Sequence, residues 1–389
     1  MHSEKSLIYL NNAATSWPKP PCVIEAVTEA LTLPPFGSGR TTGTEDQDHA
    51  TTARKLLLEL LGITEPDNLI FSNSATDALN MLISGFLDKC TDRPHVLTTA
   101  LDHNSVLRPL HEYARTSRIQ LDIIPFTNTY IAPEDVERAI RPNTKLMVMT
   151  HASNVLGSVQ NIKTIGELLH DYGIFFIVDG AQTAGHVPIS LKDLPIDAFV
   201  FTGHKGLFGI SGTGGFYLRD QEAIEPNRFG GTGTDSLSLL HPRKMPERFE
   251  AGTHNYPGLA ALAAGIAFLK QEGNSVVFEK EKRQTKTIIA GLANTENIII
   301  YNKNPDLPII SVNIRGIDNE TVGFILSRAY NVIVRTGLHC APLVHKTIDN
   351  GQGCIRLSLS YNTTDAECET AVYALLEVAE HAHPSVYPA

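Results

Sequence analysis

The feature that most restricts what this chain can fold into is an alternation of short apolar runs with amphipathic helical stretches. Runs at 69–72 (LIFS), 95–99 (HVLTT), 120–125 (QLDIIP), 145–150 (KLMVMT), 174–179 (IFFIVD), 197–201 (DAFVF) and 214–218 (GGFYL) read as strands. Strands that are near-continuous in Val, Ile, Leu and Phe are buried on both faces. Helical patterns stand between most of them, as at 75–87 and 161–172, after a first helix at 48–62 closed by Gly62. This βα alternation predicts an α/β fold with a mostly parallel seven-stranded sheet flanked by helices.

Past residue 255 the pattern changes. Long helices at 257–272 and 275–293 lead into shorter strand and helix segments at 308–314, 318–329, 332–334, 354–359 and 364–381. These predict a smaller α+β domain. The expected division is a large domain at 15–256, with 1–14 joining 257–389. Residues 226–256 read as loop. No internal repeat or low-complexity tract is present.

Composition narrows the partners. A net charge of −10 over 389 residues argues against a nucleic-acid footprint and against an anionic membrane surface. No 18-residue apolar run and no signal-peptide core occurs, which points to a cytoplasmic protein. Five cysteines, none in a CxxC pair, make neither a disulfide framework nor a zinc ribbon. HExxH, GxSxG and clustered His/Cys metal sets are all missing from the sequence, so no metal is expected.

In an open parallel sheet, ligands bind beyond the carboxyl ends of the strands. Asp179 in IVDGAQ ends one strand, where a buried carboxylate needs a cation, a ligand or a helix to cap. Lys205 in FTGHKG follows another, free to reach a ligand carbonyl or to lie solvated in a loop. Together they match the two demands of pyridoxal phosphate: a lysine for the Schiff base and an acid for the pyridine nitrogen. SNSATDALN (72–80) opens a helix, with Ser74 and Thr76 as hydroxyls for a phosphate or for plain N-capping. VRTGLHCAP (334–342) places Cys340 beside His339 and near Arg335, neighbours that would favour a nucleophilic thiolate, although a lone cysteine is commonly buried and inert. The glycine clusters at 206–215 and 229–234 match no phosphate loop and read as turns.

Nine segments in order then carry a resemblance over essentially the whole chain: YLNNAATSWPKP, NSATDALN, LDHNS, THASNVLG, VDGAQ, TGHKG, RFEAGT, RTGLHC and IRLSLSYNT. The chain resembles the cysteine desulfurase and selenocysteine lyase family of class V pyridoxal-phosphate enzymes, in the branch with a short cysteine loop. The resemblance implies fold type I, a homodimer, and Lys205 as the Schiff-base lysine. It implies Asp179 at the pyridinium nitrogen, His103 stacked on the ring, and Asn154 and Gln182 near the phenolic oxygen. Ser74, Ala75, Thr76, Thr202 and His204 would surround the phosphate, with Thr253 reaching in from a second subunit. Arg356 would grip the substrate carboxylate, with Asn12, Ala13, Arg40 and Arg335 near the substrate. Cys340 would accept sulfur from L-cysteine, leaving alanine, and pass it to an acceptor protein. Three positions depart from the family pattern: Ala75 for a threonine, Leu338 for a histidine, and Asn104 for a second histidine. Selenocysteine lyase, a C–S lyase releasing pyruvate without Cys340, and a non-enzymatic scaffold are the alternatives on the same fold.

Overall fold

The computed structural model describes residues 7–32, 48–234 and 236–382. Strand β1 (Ile8–Tyr9) and helices α1 (Pro21–Thr32) and α2 (His49–Leu61) come first. Helix α2 shows how the sequence sets its limits. The Asp48 carboxylate accepts from the N–H groups of Ala50 and Thr51, and Gly62 closes the far end at φ 63°.

The alternating body follows: β2 (Leu69–Ser72), α3 (Ala75–Leu87), β3 (His95–Thr99), α4 (Asn104–Arg115), β4 (Gln120–Ile124), α5 (Pro133–Ala139) and β5 (Thr144–Thr150). It continues with α6 (Ile162–Asp171), β6 (Phe175–Asp179), β7 (Ala198–Thr202) and β8 (Gly214–Leu218). All seven apolar runs are strands of one sheet, ordered β2-β8-β7-β6-β5-β3-β4. Strands β3 to β7 pair in parallel, while β8 runs antiparallel to both β2 and β7. The register brings Ser72 and Thr202 to Gly214, and Thr150 to Asp179, along one edge. A side chain at Gly214 would meet the Ser74 backbone at 2.7 Å, so glycine lets the start of α3 lie against this edge.

Burial on both sheet faces explains the unbroken apolar runs. Met147, Met149, Phe176 and Val178 pack to one side with Leu57, Ile165 and Leu262. Their chain neighbours Leu146, Val148 and Ile177 pack to the other with Leu79, Leu82 and Val106.

The rest comprises α7 (Tyr256–Glu272), α8 (Asn274–Leu292), β9 (Ile298–Ile300), β10 (Ile309–Ile314), α9 (Asn319–Tyr330), β11 (Val332–Ile333), α10 (Pro342–Ile348), β12 (Ile355–Ser358) and α11 (Asp365–His381). Strands β9, β10 and β12 form an antiparallel sheet, and β1 pairs in parallel with β11. A separate core joins Ile8 and Leu10 to Ile310, Val312, Leu326, Leu357 and Leu375. Helix α7 contributes Leu259, Leu262, Ile266 and Leu269 to the core of the large sheet.

Candidate active site

A cavity of about 220 Å³ opens at the edge where the strand ends converge. Ser74 caps α3, its hydroxyl accepting from the Asp77 N–H at 3.1 Å, and Ala75 and Thr76 follow on the first turn. The unpaired N–H groups of that turn face the cavity wall these residues form. Thr202 ends β7, and His204 and Lys205 follow in the next turn, all three lining the cavity. His204 Nδ1 is buried with no hydrogen-bond partner, and burial pushes the imidazole down to about 4, aided by Lys205 and Lys19. This ring is neutral, with an uncommitted nitrogen.

Asp179 ends β6, buried, with Oδ1 accepting from the Ala181 N–H at 3.0 Å. Burial raises its pKa, opposed by that bond and by Lys205. Desolvation pushes the Lys205 ammonium down to about 8, with Asp179 acting upward and Arg356 and Arg335 downward. His103 caps α4. Its Nδ1 accepts from the Ser105 N–H at 3.0 Å, which fixes the proton of the neutral ring on Nε2. Burial and four surrounding cations push His103 down to about 4.

The lining also includes Ala13, Gln182, Asn154, Arg335 and Arg356. Gln182 donates to Ala13 O at 3.2 Å, leaving its own carbonyl oxygen free of that contact. Arg356 is fully buried, donating to Asn154 O at 2.8 Å and Asn11 Oδ1 at 3.3 Å, and its Nε has no partner. A backbone bridge holds Arg335 beside it. Burial and that neighbour push Arg356 down to about 9. Among the described residues neither arginine has a carboxylate partner, so the pair is suited to an external anion.

Cys340 stands beside the cavity rim rather than in its lining, its Sγ 3.6 Å from Nη2 of the lining residue Arg335. His339 and Cys340 both take left-handed backbone conformations, φ 48° and 59°. Two consecutive non-glycine residues there are unusual and need external support. It comes from the Asn104 N–H to Cys340 O at 2.8 Å and from Asn154 Nδ2 to His339 O at 2.8 Å.

Two expectations require correction. His339 does not serve Cys340: it is buried, with Nε2 3.0 Å from Cys354 O. Burial, with Arg356, His345 and Arg335, pushes it down to about 2, so it offers no positive charge to a thiolate. Asn12 does not face the cavity. Its amide donates to Tyr9 O and Ser358 O, and its Oδ1 accepts from the Trp17 N–H, which makes it a brace of the N-terminal segment. Thr253, expected to serve the site of a second subunit, is exposed on a separate surface of its own chain with Asn73 and Arg228. Arg40 lies outside the described residues. Thr150 lines the cavity without having been singled out, although it ends β5 as Asp179 ends β6. Asp102 was missed too. It accepts from Thr98 Oγ1, the Thr99 N–H and Oγ1, and the Thr150 N–H at 2.6–2.9 Å, fastening β3 to β5 beside His103.

The aminotransferase class-V family model matches residues 8–370. A probable cysteine desulfurase of Halalkalibacterium halodurans is 30% identical over 88% of this chain and 86% of its own. Another, of Pyrococcus abyssi, is 29% identical over 97% and 95%. The solved apo structure of a cysteine desulfurase from Thermococcus onnurineus superposes with TM-score 0.89 at 29% identity, covering 96% of this chain and 95% of that one. A strand edge that gathers a lysine, a buried aspartate and a paired-arginine anion site is thus set in a shared fold and a shared sequence: the chain belongs to the class-V aminotransferase family.

Proposed function

We propose that the protein is a pyridoxal-phosphate-dependent cysteine desulfurase, converting L-cysteine to L-alanine while Cys340 takes the sulfur as a persulfide. The observation that carries this is that Lys205, Asp179 and the Arg335–Arg356 pair line one cavity, with Cys340 Sγ 3.6 Å from Arg335 Nη2. The residues fit the cofactor. The buried, unpartnered Nδ1 of His204 and the free N–H groups opening α3 are donors for a phosphate, with Ser74, Ala75, Thr76 and Thr202 around them. Lys205 would hold the aldehyde carbon, Asp179 the pyridine nitrogen, His103 the ring face, and Asn154 and Gln182 the phenolic oxygen. Bound there, pyridoxal phosphate supplies an electron sink for an amino-acid substrate.

The chain's own groups do the rest. Arg356, assisted by Arg335, binds the substrate carboxylate through planar N–H donors, near Ala13. Lys205 Nζ, with its basicity lowered toward neutrality, removes a proton at the α-carbon and returns one. Cys340 Sγ attacks the substrate sulfur. The S–S bond forms as the C–S bond breaks, the C–S electron pair stays on carbon, and a proton completes the alanine methyl group. Arg335 Nη2 orients Sγ during that attack.

A homodimer is part of the proposal. Thr253 lines a separate surface pocket and not its own chain's cavity, while Phe229, Leu237, Leu239 and Leu240 are exposed in the same segment. The persulfide then needs a thiol-bearing acceptor protein. Among the described residues no helix is long and apolar enough to cross a membrane, and all five cysteines are free, which suits a reducing compartment.

The test is product analysis after incubation with L-cysteine and a reductant. Alanine and sulfide are expected from the wild type, and neither from Cys340→Ala. Pyruvate with ammonia, undiminished in Cys340→Ala, would replace this reading with a β-elimination lyase.

A further inference from the structure

The sequence displays no clustered metal set, yet the fold brings one together beside the Cys340 turn. The rings of His339 and His345 lie 5.5 Å apart, and one nitrogen of each falls within 4.8 Å of Cys354 Sγ and of each other. All three residues are buried, at 2%, 0% and 0% exposure. Cys354 Sγ and His339 Nε2 are 3.4 Å apart, a spacing suited to two donors on one tetrahedral ion; ligation replaces the bond from Nε2 to Cys354 O and moves the His339 proton to Nδ1, which has no partner among the described residues.

His345 adds an independent sign. Its Nδ1 is 2.6 Å from Asp349 Oδ2, so that N–H is given to the carboxylate and Nε2 is the nitrogen left for a ligand. That Nε2 is fully buried and has no hydrogen-bond partner. A carboxylate behind an imidazole is the usual means of orienting a metal-binding histidine and raising its basicity. Two imidazoles and one thiol are a borderline-soft donor set, favouring zinc over calcium or magnesium.

We propose that His339, His345 and Cys354 bind one zinc-class divalent cation, with Asp349 orienting His345. The ion forms two metal–nitrogen bonds and one metal–sulfur bond, displaces the Cys354 thiol proton to solvent, and leaves a fourth position for water. No electron transfer is involved. Burial holds the Cys354 thiol up at about 12, so this cation is what deprotonates it. Because His339 precedes Cys340 and His345 lies in α10, the ion ties the strained turn to the helix after it and to the residue before β12. This site does not depend on the proposed desulfurase activity.

The experiment loads the full chain with zinc chloride, removes free metal by gel filtration and counts bound zinc. About one zinc per chain is expected for the wild type and for Cys340→Ala, and below about a tenth for Cys354→Ser and His345→Asn, each checked for folding by circular dichroism. Cobalt(II) in place of zinc should give a sulfur-to-cobalt charge-transfer band in the wild type and in Cys340→Ala. That band decides the matter if the other variants misfold. Wild-type protein without zinc or without the band overturns the site. So does zinc that is lost in Cys340→Ala and kept in Cys354→Ser, which would place the ion on the rim thiol.

Discussion

Lys205 is the residue whose behaviour the structure specifies most sharply. Its amine is desolvated and faces Asp179 on one side and two arginines on another, which leaves it at about 8 against an ordinary value of 10.5. Only the neutral amine attacks an aldehyde. The ammonium prevails below the lowered pKa, so capture of pyridoxal phosphate by the cofactor-free protein should slow about tenfold per pH unit below 8 and level off above it. Stopped-flow absorbance across pH 6–10 reads this directly, and a flat profile would mean that the amine is not the titrating group. Lys205→Ala should show no covalent capture at any pH. The side chains around Lys205 were legible because they follow strand ends, where the fold class itself directs attention. His339 was not legible. Its neighbour in sequence is Cys340, but two successive left-handed residues leave its ring nitrogen engaged with Cys354. Non-glycine residues carry no sequence signal for that conformation.

Among the elements, the strands of the large sheet were legible because the central ones are buried on both faces and read as short runs of mostly apolar residues. Helix α10 and strand β9, at seven and three residues, are too short to display a period, and tertiary contacts decide them. The turn between β11 and α10 is the element on which sulfur transfer rests. Gly353 supports it from beneath: φ is 84°, and an added Cβ would meet the Gly337 backbone at 2.7 Å. Gly353→Ala should therefore shift the turn although residue 353 is outside the cavity. A displacement of about 1 Å can lower turnover by up to about 10²-fold. Alanine formation should drop while cofactor absorbance is kept. Unchanged turnover would show that the turn's position does not control the attack on sulfur.

At the scale of the molecule, a buried ion pair joins three distant parts of the large body. Arg54 of α2 donates to both Glu250 oxygens at 2.9 and 3.0 Å and stacks 4.6 Å from the Phe71 ring of β2, whose N–H donates to the same carboxylate at 2.7 Å. Burial acts upward on Glu250, but Arg54, His254 and the Phe71 N–H outweigh it and hold the carboxyl below its ordinary value. A depressed acid contributes stability above the unfolded-state pKa and loses it as pH falls through the folded one. Glu250→Gln, which strands Arg54, should cost about 3–5 kcal/mol near neutral pH. The gap to the wild type should narrow on acidification, as read from urea midpoints at two pH values. An equal gap at both would assign the loss to packing instead. No local pattern announces this pair, since its members lie 196 positions apart.

The cavity wall includes a contact of still longer span: the Ala13 N–H donates to Ser358 Oγ at 2.8 Å, across 345 positions. During synthesis the large sheet is complete long before that partner exists. At about 5–20 residues per second, the ribosome needs several seconds more to deliver the segment that carries Arg356 and Ser358. Residues 10–13 must wait through that interval beside an unfinished pocket. The nascent chain thus acquires its lysine early and its anion grip last, and a ribosome-bound chain halted before residue 356 should present Lys205 in a pocket that lacks its buried arginine.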